Sequence, residues 1–329
     1  MKKISKLSAA LVIAALTFTL FSCGGGGGEE VPDEPYSDPS GKTEQTPVEE
    51  NVPDDAMRKF TATSKAKEWS IYGVADLEKL SEVVNGGNNF SGKTVTVKND
   101  IIINQKVLSD DFEEPAEGAE EGTPNPNLKN LNSIGTGKSP EGGAVRSFSG
   151  TFDGNGKVIS GLYMYQGHQG LGLIGVADGA VIKNVILVDA CIINKNVAAG
   201  KREDDPHDSE DDDRFGGIIG LADGDGAEIE NCLFAGVVGS EVAQTRGKPY
   251  EYIGGLVGYA NADTTLTDCF VFARINGSHK DIAVGNKPEN VTRENVNGED
   301  GKGIDVTDFE GDLAAEIAKA IETVKANVK

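Results

Sequence analysis

The sequence predicts an all-β chain built as a stack of coils, a β-solenoid. Three observations carry that prediction. A Gly-flanked apolar strand, a small polar turn and a second strand recur three times between Leu171 and Cys269. Aligned on their glycines, the recurrences place apolar residues in columns. Aromatic residues make up only 6% of the chain, and acidic segments interrupt the pattern between repeats. Stacked coils tolerate both, because each coil needs only short strands and can carry an insertion at a corner.

The first 22 residues read as a signal segment. Lys2, Lys3 and Lys6 precede an uncharged apolar run from Leu7 to Leu20, which ends in Phe21-Ser22-Cys23. That run is short for a membrane span, which takes about 20 residues, and suits a secretory signal. The small residue before Cys23 resembles a bacterial lipobox, although Phe21 is bulkier than usual there. The resemblance implies that Cys23 receives a diacylglyceryl group and becomes the mature N-terminus. The alternative is ordinary cleavage near Ser22. Gly24 and Gly25 follow the cysteine, with no Asp to resemble an inner-membrane retention signal, so an outer-membrane, surface-exposed location is expected.

Residues 23–58 are expected to form a disordered acidic tether, since Gly, Pro, Glu and Asp leave little apolar surface to offset the entropy of ordering. The formal net charge is −22, and its distribution is uneven. Glu29 to Met57 holds ten acids against one Lys, Asp110 to Glu121 seven acids, and Glu203 to Asp213 eight, with no Lys or Arg in the last two. Together they exceed the whole net charge, so the remaining scaffold is near neutral. Nucleic acid is excluded as a partner, because phosphates need a basic face.

The solenoid is expected over residues 59–311. Val74 to Asn85 puts Val74, Leu77, Leu80 and Val84 at helical spacing, with Gly86 as the C′ residue. Lys93-Thr94-Val95-Thr96-Val97 alternates like a strand, and Ile101-Ile102-Ile103 follows. Asp153-Gly154 and Asn155-Gly156 are turn pairs between short strands. Gly175, Gly220 and Gly258 then mark three repeats, at steps of 45 and 38 residues. In register, Ile182, Ile229 and Leu266 form one inward column, and Val185, Cys232 and Cys269 another. Insertions are expected at 105–133 and 194–214. Ser278 to Gly311 is polar and Asn-rich, and an amphipathic stretch over 312–329, with Leu313, Ile317, Ile321 and Val324 on one face, is expected to cap the last coil.

Phe148-Ser149-Gly150-Thr151-Phe152-Asp153-Gly154-Asn155-Gly156, the Ile159-Ser160-Gly161-Leu162 strand, the Gly-Leu-x-Gly repeats and the Asn231-Cys232 turn together resemble the GLUG-motif bacterial surface proteins. Related repeats occur in the N-terminal regions of immunoglobulin-A-specific metallopeptidases. Lys157 stands where that family often has His. The likeness runs from about Trp69 to Gly277. It implies a right-handed parallel β-helix on the cell surface, opened by a helix that covers the first coil, and it implies no catalytic activity.

The search for chemistry finds little. A zinc peptidase needs a His-Glu-x-x-His helix, whereas His168, His207 and His279 are far apart in sequence and read as loop histidines. Asp223 and Asp225 are candidates for the paired carboxylates of a polysaccharide-active enzyme, but Ala-Asp-Gly-Asp-Gly also reads as a turn. Asp204, Asp205, Asp208, Asp211, Asp212 and Asp213 are weak calcium candidates, since calcium takes several carboxylate oxygens while this run lacks EF-hand spacing. Cys232 and Cys269 stand one rung apart, about 4.8 Å, which allows a disulfide or a buried reduced pair; Cys191 is left over. Apart from the lipid, no cofactor is expected. The expected function is a non-enzymatic binding or adhesion module, monomeric, lipid-anchored, with a host protein or glycan as partner. A polysaccharide-active β-helix enzyme and a structural envelope protein are the alternatives. The loops at 105–133 and 194–214 are the expected contact regions.

Overall fold

The computed structural model describes residues 52–109, 124–137, 144–167, 170–194, 214–239, 252–275, 281–286, 288–307 and 309–328. Among these the chain is mostly β, with parallel sheets and two α-helices, α1 (Val74–Asn85) and α2 (Leu313–Asn327). Strands equivalent along the repeat pair in parallel, each with its neighbours one coil earlier and one later, an arrangement compatible with a β-helix or solenoid.

Two sheets run the length of the stack. In the nine-stranded sheet, residues 180–183 pair with 227–230, which pair with Thr264–Thr267, which pair with Val291–Glu294. Towards the N-terminus the same face continues through Thr151–Asp153, Thr94–Val97 and Glu68–Ile71. Its inward column therefore runs Trp69, Val95, Phe152, Ile182, Ile229, Leu266, and each of these is at most 5% exposed. The expected triplet Ile182, Ile229 and Leu266 stands in it in the expected register. Val185, Cys232 and Cys269 are likewise fully buried in the core. The seven-stranded sheet stacks Val158–Ser160, 186–188, 233–235 and 270–272 in the same way.

Gly175, Gly220 and Gly258 share one register position, flanked by the paired residues Ile174, Ile219 and Val257. A Cβ there would strike backbone: the Gly135 carbonyl at Gly175, the Leu171 amide at Gly220, the Phe215 carbonyl at Gly258. Close approach of a covering segment is what these glycines permit.

The corner between the two sheets is a ladder of side-chain amides. Asn184, Asn231, Asp268 and Asn295 all have φ between 51° and 54°, a left-handed conformation that Asn and Asp tolerate best after Gly. Asn184 donates Nδ2 to Asp153 Oδ1 (3.0 Å), Asn231 to Asn184 Oδ1 (2.8 Å), and Asn295 to Asp268 Oδ1 (2.8 Å). One link is missing. Asn231 Oδ1 is buried without a donor, and the Asp268 side chain at the next rung has no amide N–H to offer it. Asp268→Asn would supply it while still accepting from Asn295. We expect a gain of about 1 kcal/mol in chemical denaturation; an unchanged or lower stability would refute the ladder account.

Several sequence expectations are corrected. The tether expected over 23–58 ends earlier: the compact unit begins at Asp55, Ala56 and Met57 are fully buried, and Ala56 bridges Ser70. Gly86 keeps a right-handed φ of −75°, and Gly87 takes the positive one at 105°. The segment expected as an insertion at 105–133 is partly scaffold. Val107 and Leu108 pack on Tyr163, Tyr165, Cys191 and Ile193, and Leu131, Ser133 and Ile134 are buried. The polar stretch after Ser278, which lies inside the solenoid expected over 59–311, forms a further coil with Val284–Asn286, Val291–Glu294 and Ile304–Asp305. Its asparagines serve as substitute backbone: Asn297 accepts from Val271 N and donates to Val271 O, and Asn290 donates to Ala260 O.

The C-terminal helix also differs from an end cap. Asp312 caps it by accepting from Ala315 N (3.1 Å). Its buried Ile317, Ala320, Ile321 and Val324 meet Val158, Ile186, Leu233 and Phe272, which belong to four successive rungs. A helix of 15 residues is about 22 Å long, and five strands span about 19 Å. So α2 lies along the flank of the stack, across its strands.

Candidate functional site

Many of the expected site residues lie outside the described residues: Cys23, the tether, Asp204, Asp205, Asp208, Asp211, Asp212, Asp213, His168, His207 and His279. What the structure does give is where the corresponding segments leave and rejoin the scaffold. Ile192 pairs with Val238, and Val238 with Ile275, so three chain exits stand one above another. On the far side Leu171 bridges Phe215, and Phe215 pairs with Ile253. The described chain therefore leaves successive coils at one corner, after Asn194, Gly239 and Ile275, and rejoins the stack at Arg214 and Tyr252.

At the base of that corner sits a cluster that sequence reasoning missed. Arg214 lies over the ring of Tyr259, with its guanidinium carbon 4.9 Å from the centroid. Tyr252 meets Tyr259 edge-on, with centroids 5.1 Å apart and planes at 88°. Register brings them together: Arg214 and Tyr252 each stand one residue before a paired residue, Phe215 and Ile253, while Tyr259 stands opposite Leu221 on the next face. Arg214 Nε is buried with no acceptor. The available signal was positional, a polar or aromatic side chain two residues before the first Gly of a repeat.

The described residues just before 110 are anchored by Asp189. This residue interrupts an apolar strand with φ 52°, and its carboxylate accepts from Val107 N and Leu108 N at 2.8 Å each. Burial pushes its pKa up, against the opposing effect of those two amides and of Lys106. A lone acid inside Ile-Leu-Val-Asp-Ala-Cys-Ile was the visible clue.

Asp178, Asp223 and Asp225 are used as turn groups. Asp178 Oδ1 accepts from Asp225 N (2.9 Å), and Asp223 Oδ1 accepts from Asn261 Nδ2 (2.8 Å). No group of three or more His, Cys, Asp or Glu among the described residues is placed to hold a metal ion. The two stacked cysteines are free thiols, as is Cys191. Cys232 Sγ donates to Glu230 O and Cys269 Sγ to Thr267 O, each at 3.2 Å. Burial pushes the Cys269 thiol up to about 12 and Cys232 well above its ordinary value, so neither is a nucleophile. An indentation lined by Leu77, Leu131, Leu162 and Met164 among others has a volume of only about 10 Å³, far below the usual ligand pocket of roughly 300–1,000 Å³.

Fold and site together define a class: a stack of parallel β coils whose chain exits stand one above another, with an Arg-Tyr cluster where the chain rejoins the stack. Comparison with family models, with curated proteins and with solved structures gives no match to this chain.

Proposed function

We propose that the chain is a lipid-anchored, non-enzymatic binding module of the GLUG-motif class, held at the outer membrane by Cys23. In this reading the stack is a right-handed β-helix, as nearly all crossover connections between parallel strands of one sheet are. Helix α1, packed on Met57–Lys59 and Glu68–Ile71, shields its first coil. Residues between Cys23 and Asp55 act as a leash with a reach of roughly 30 Å.

The observation that carries the reading is the shared corner. A rigid scaffold whose chain exits stack one above another, with aromatic and guanidinium groups where the chain rejoins it, suits recognition. The acids of the connections favour a partner with basic or neutral chemistry there. The carboxylates of Asp178 and Asp223, engaged by amides, support the non-enzymatic side of the reading.

The test replaces 110–123 and 195–213 by short Gly-Ser links. Val107, Leu108, Leu131 and Ser133 stay in place because the fold needs them. Circular dichroism should report an intact β protein, and attachment to cells or matrix should fall at least about tenfold. In parallel, Cys23→Ala should move the protein from the detergent to the aqueous phase. Full attachment by the folded deletion protein would overturn the role of these connections, and membrane partitioning by Cys23→Ala would overturn the anchor.

A further inference from the structure

The Arg214 guanidinium is unlike the other structurally engaged ones. Arg58 donates Nε and Nη2 to Asp76, and Arg293 donates to Asp281 and to the Gly301 carbonyl. The Arg214 side chain makes no hydrogen bond or ion pair among the described residues, and its Nε is shut off from water. A buried donor without an acceptor is rare in folded proteins, and a ligand from solution would meet this guanidinium at its Nη atoms, not at the enclosed Nε. Stacking on Tyr259 fixes the plane of the guanidinium, so its donors are already oriented. Tyr252 and Tyr259 are both half-buried, which leaves ring surface beside those donors.

Aromatic surface next to an oriented fork of N–H donors suits a ring that is apolar on its face and rich in acceptors at its edge. A pyranose has that chemistry: C–H groups on the face, hydroxyl and ring oxygens around it. The charge decides between neutral and acidic sugars. The chain carries −22, and the residues before Arg214 in sequence, Glu203 to Asp213, hold eight acids, so a polyanion is repelled on approach.

We propose that Arg214, Tyr252 and Tyr259 form a subsite for a neutral sugar ring, which makes a neutral glycan the ligand of this corner. The proposal rests on the binding-module reading and names its ligand class. The guanidinium donates to sugar oxygens while the ring stacks against the tyrosines. Binding of a single sugar ring is weak, and avidity comes from several lipid-anchored copies on one surface.

The test uses the full mature chain on an array of neutral oligosaccharides built from glucose, galactose, mannose and N-acetylhexosamines, beside uronic-acid and sulfated chains. Binding to at least one neutral chain is expected, with at least about tenfold loss in Arg214→Met and in Tyr259→Leu. Glu228→Gln, exposed on another face, should bind like the parent. Should the variants fold poorly, the parent protein still decides: a neutral oligosaccharide must shift the NMR ring signals of Tyr252 and Tyr259. Binding to acidic chains alone, unchanged binding in both variants, or unshifted rings overturns the proposal. If no neutral glycan binds while the protein still attaches to cells through 110–123 and 195–213, the sugar subsite fails and the binding-module reading stands. If attachment is also insensitive to those connections, both fail.

Discussion

Ile229→Asp is expected to abolish cooperative folding. Ile229 is 1% exposed, with Ile182 on one side and Leu266 on the other, each one rung away. Substitution removes a buried apolar side chain, which alone costs about 2–3 kcal/mol. It also places a carboxylate where no donor faces it, adding several kcal/mol more. A domain of this kind is stable by only about 5–15 kcal/mol. Each coil is held by its two neighbours, so a broken rung weakens both interfaces at once. The adjacent residue supplies the control. Glu228 is exposed on the opposite side of the same strand, and Glu228→Ala should change stability by no more than about 0.5 kcal/mol. Urea denaturation of the two variants measures the contrast, and comparable losses would overturn the inward assignment of the column.

That column was legible in the amino-acid sequence because period-two alternation and stacked repeats leave a direct trace there. Ile182, Ile229 and Leu266 are apolar, Ile229 and Leu266 stand between polar residues, and the three lie seven, nine and eight residues after Gly175, Gly220 and Gly258. The last coil left no such trace. Where the column would continue, the chain has Arg293, paired with Leu266 in register and tied to Asp281. A charge at the final rung ends the apolar interior and blunts the open edge, a device that hides a coil from pattern reading. Asn290 and Asn297 hide it further, since side-chain amides replace the strand that alternation would have shown.

Helix α2 was legible as an element and misplaced as a cap. An apolar face declares that something is covered, and says nothing about what. Val158, Ile186 and Leu233 share one register column, Phe272 stands on the next rung two residues beyond Leu233's partner Phe270, and only the register brings them into one strip. The Arg214–Tyr252–Tyr259 cluster was illegible for the same reason: residues 38 and 45 positions apart in sequence meet because successive coils stack in register. The strap of Val107 and Leu108 was too short to show a period, so it passed as part of an insertion.

Asp76→Ala is expected to destabilise the N-terminal end by about 3 kcal/mol at neutral pH. The carboxylate is fully buried in the first turn of α1. It accepts from Arg58 N (2.8 Å), Arg58 Nε (2.9 Å), Arg58 Nη2 (3.0 Å) and Tyr72 N (2.9 Å). One side chain thus joins the Met57–Lys59 turn, the end of the first strand and the helix. Alanine would strand two backbone amides and a guanidinium. Burial alone would raise the pKa of Asp76; the side-chain hydrogen bonds from Arg58, the amides of Tyr72 and Arg58, and the Arg58 charge outweigh it and hold it below the ordinary value. A carboxyl lowered on folding stabilises the native state above its unfolded pKa, near 3.9. That contribution fades as pH falls through the folded value. The gap between parent and Asp76→Ala should therefore be full at pH 7 and shrink progressively below about pH 4. Asp55, lowered mainly by the hydrogen bond from Ser70 Oγ, fades over the same range in both proteins and so cancels in the difference. Because stacked repeats fray from their ends, the loss should appear first in hydrogen exchange, as faster exchange of the Lys59, Phe60 and Ser70 amides than of Ile229. A gap of equal size at pH 3 and pH 7 would mean that Asp76 acts by packing and not by its charge.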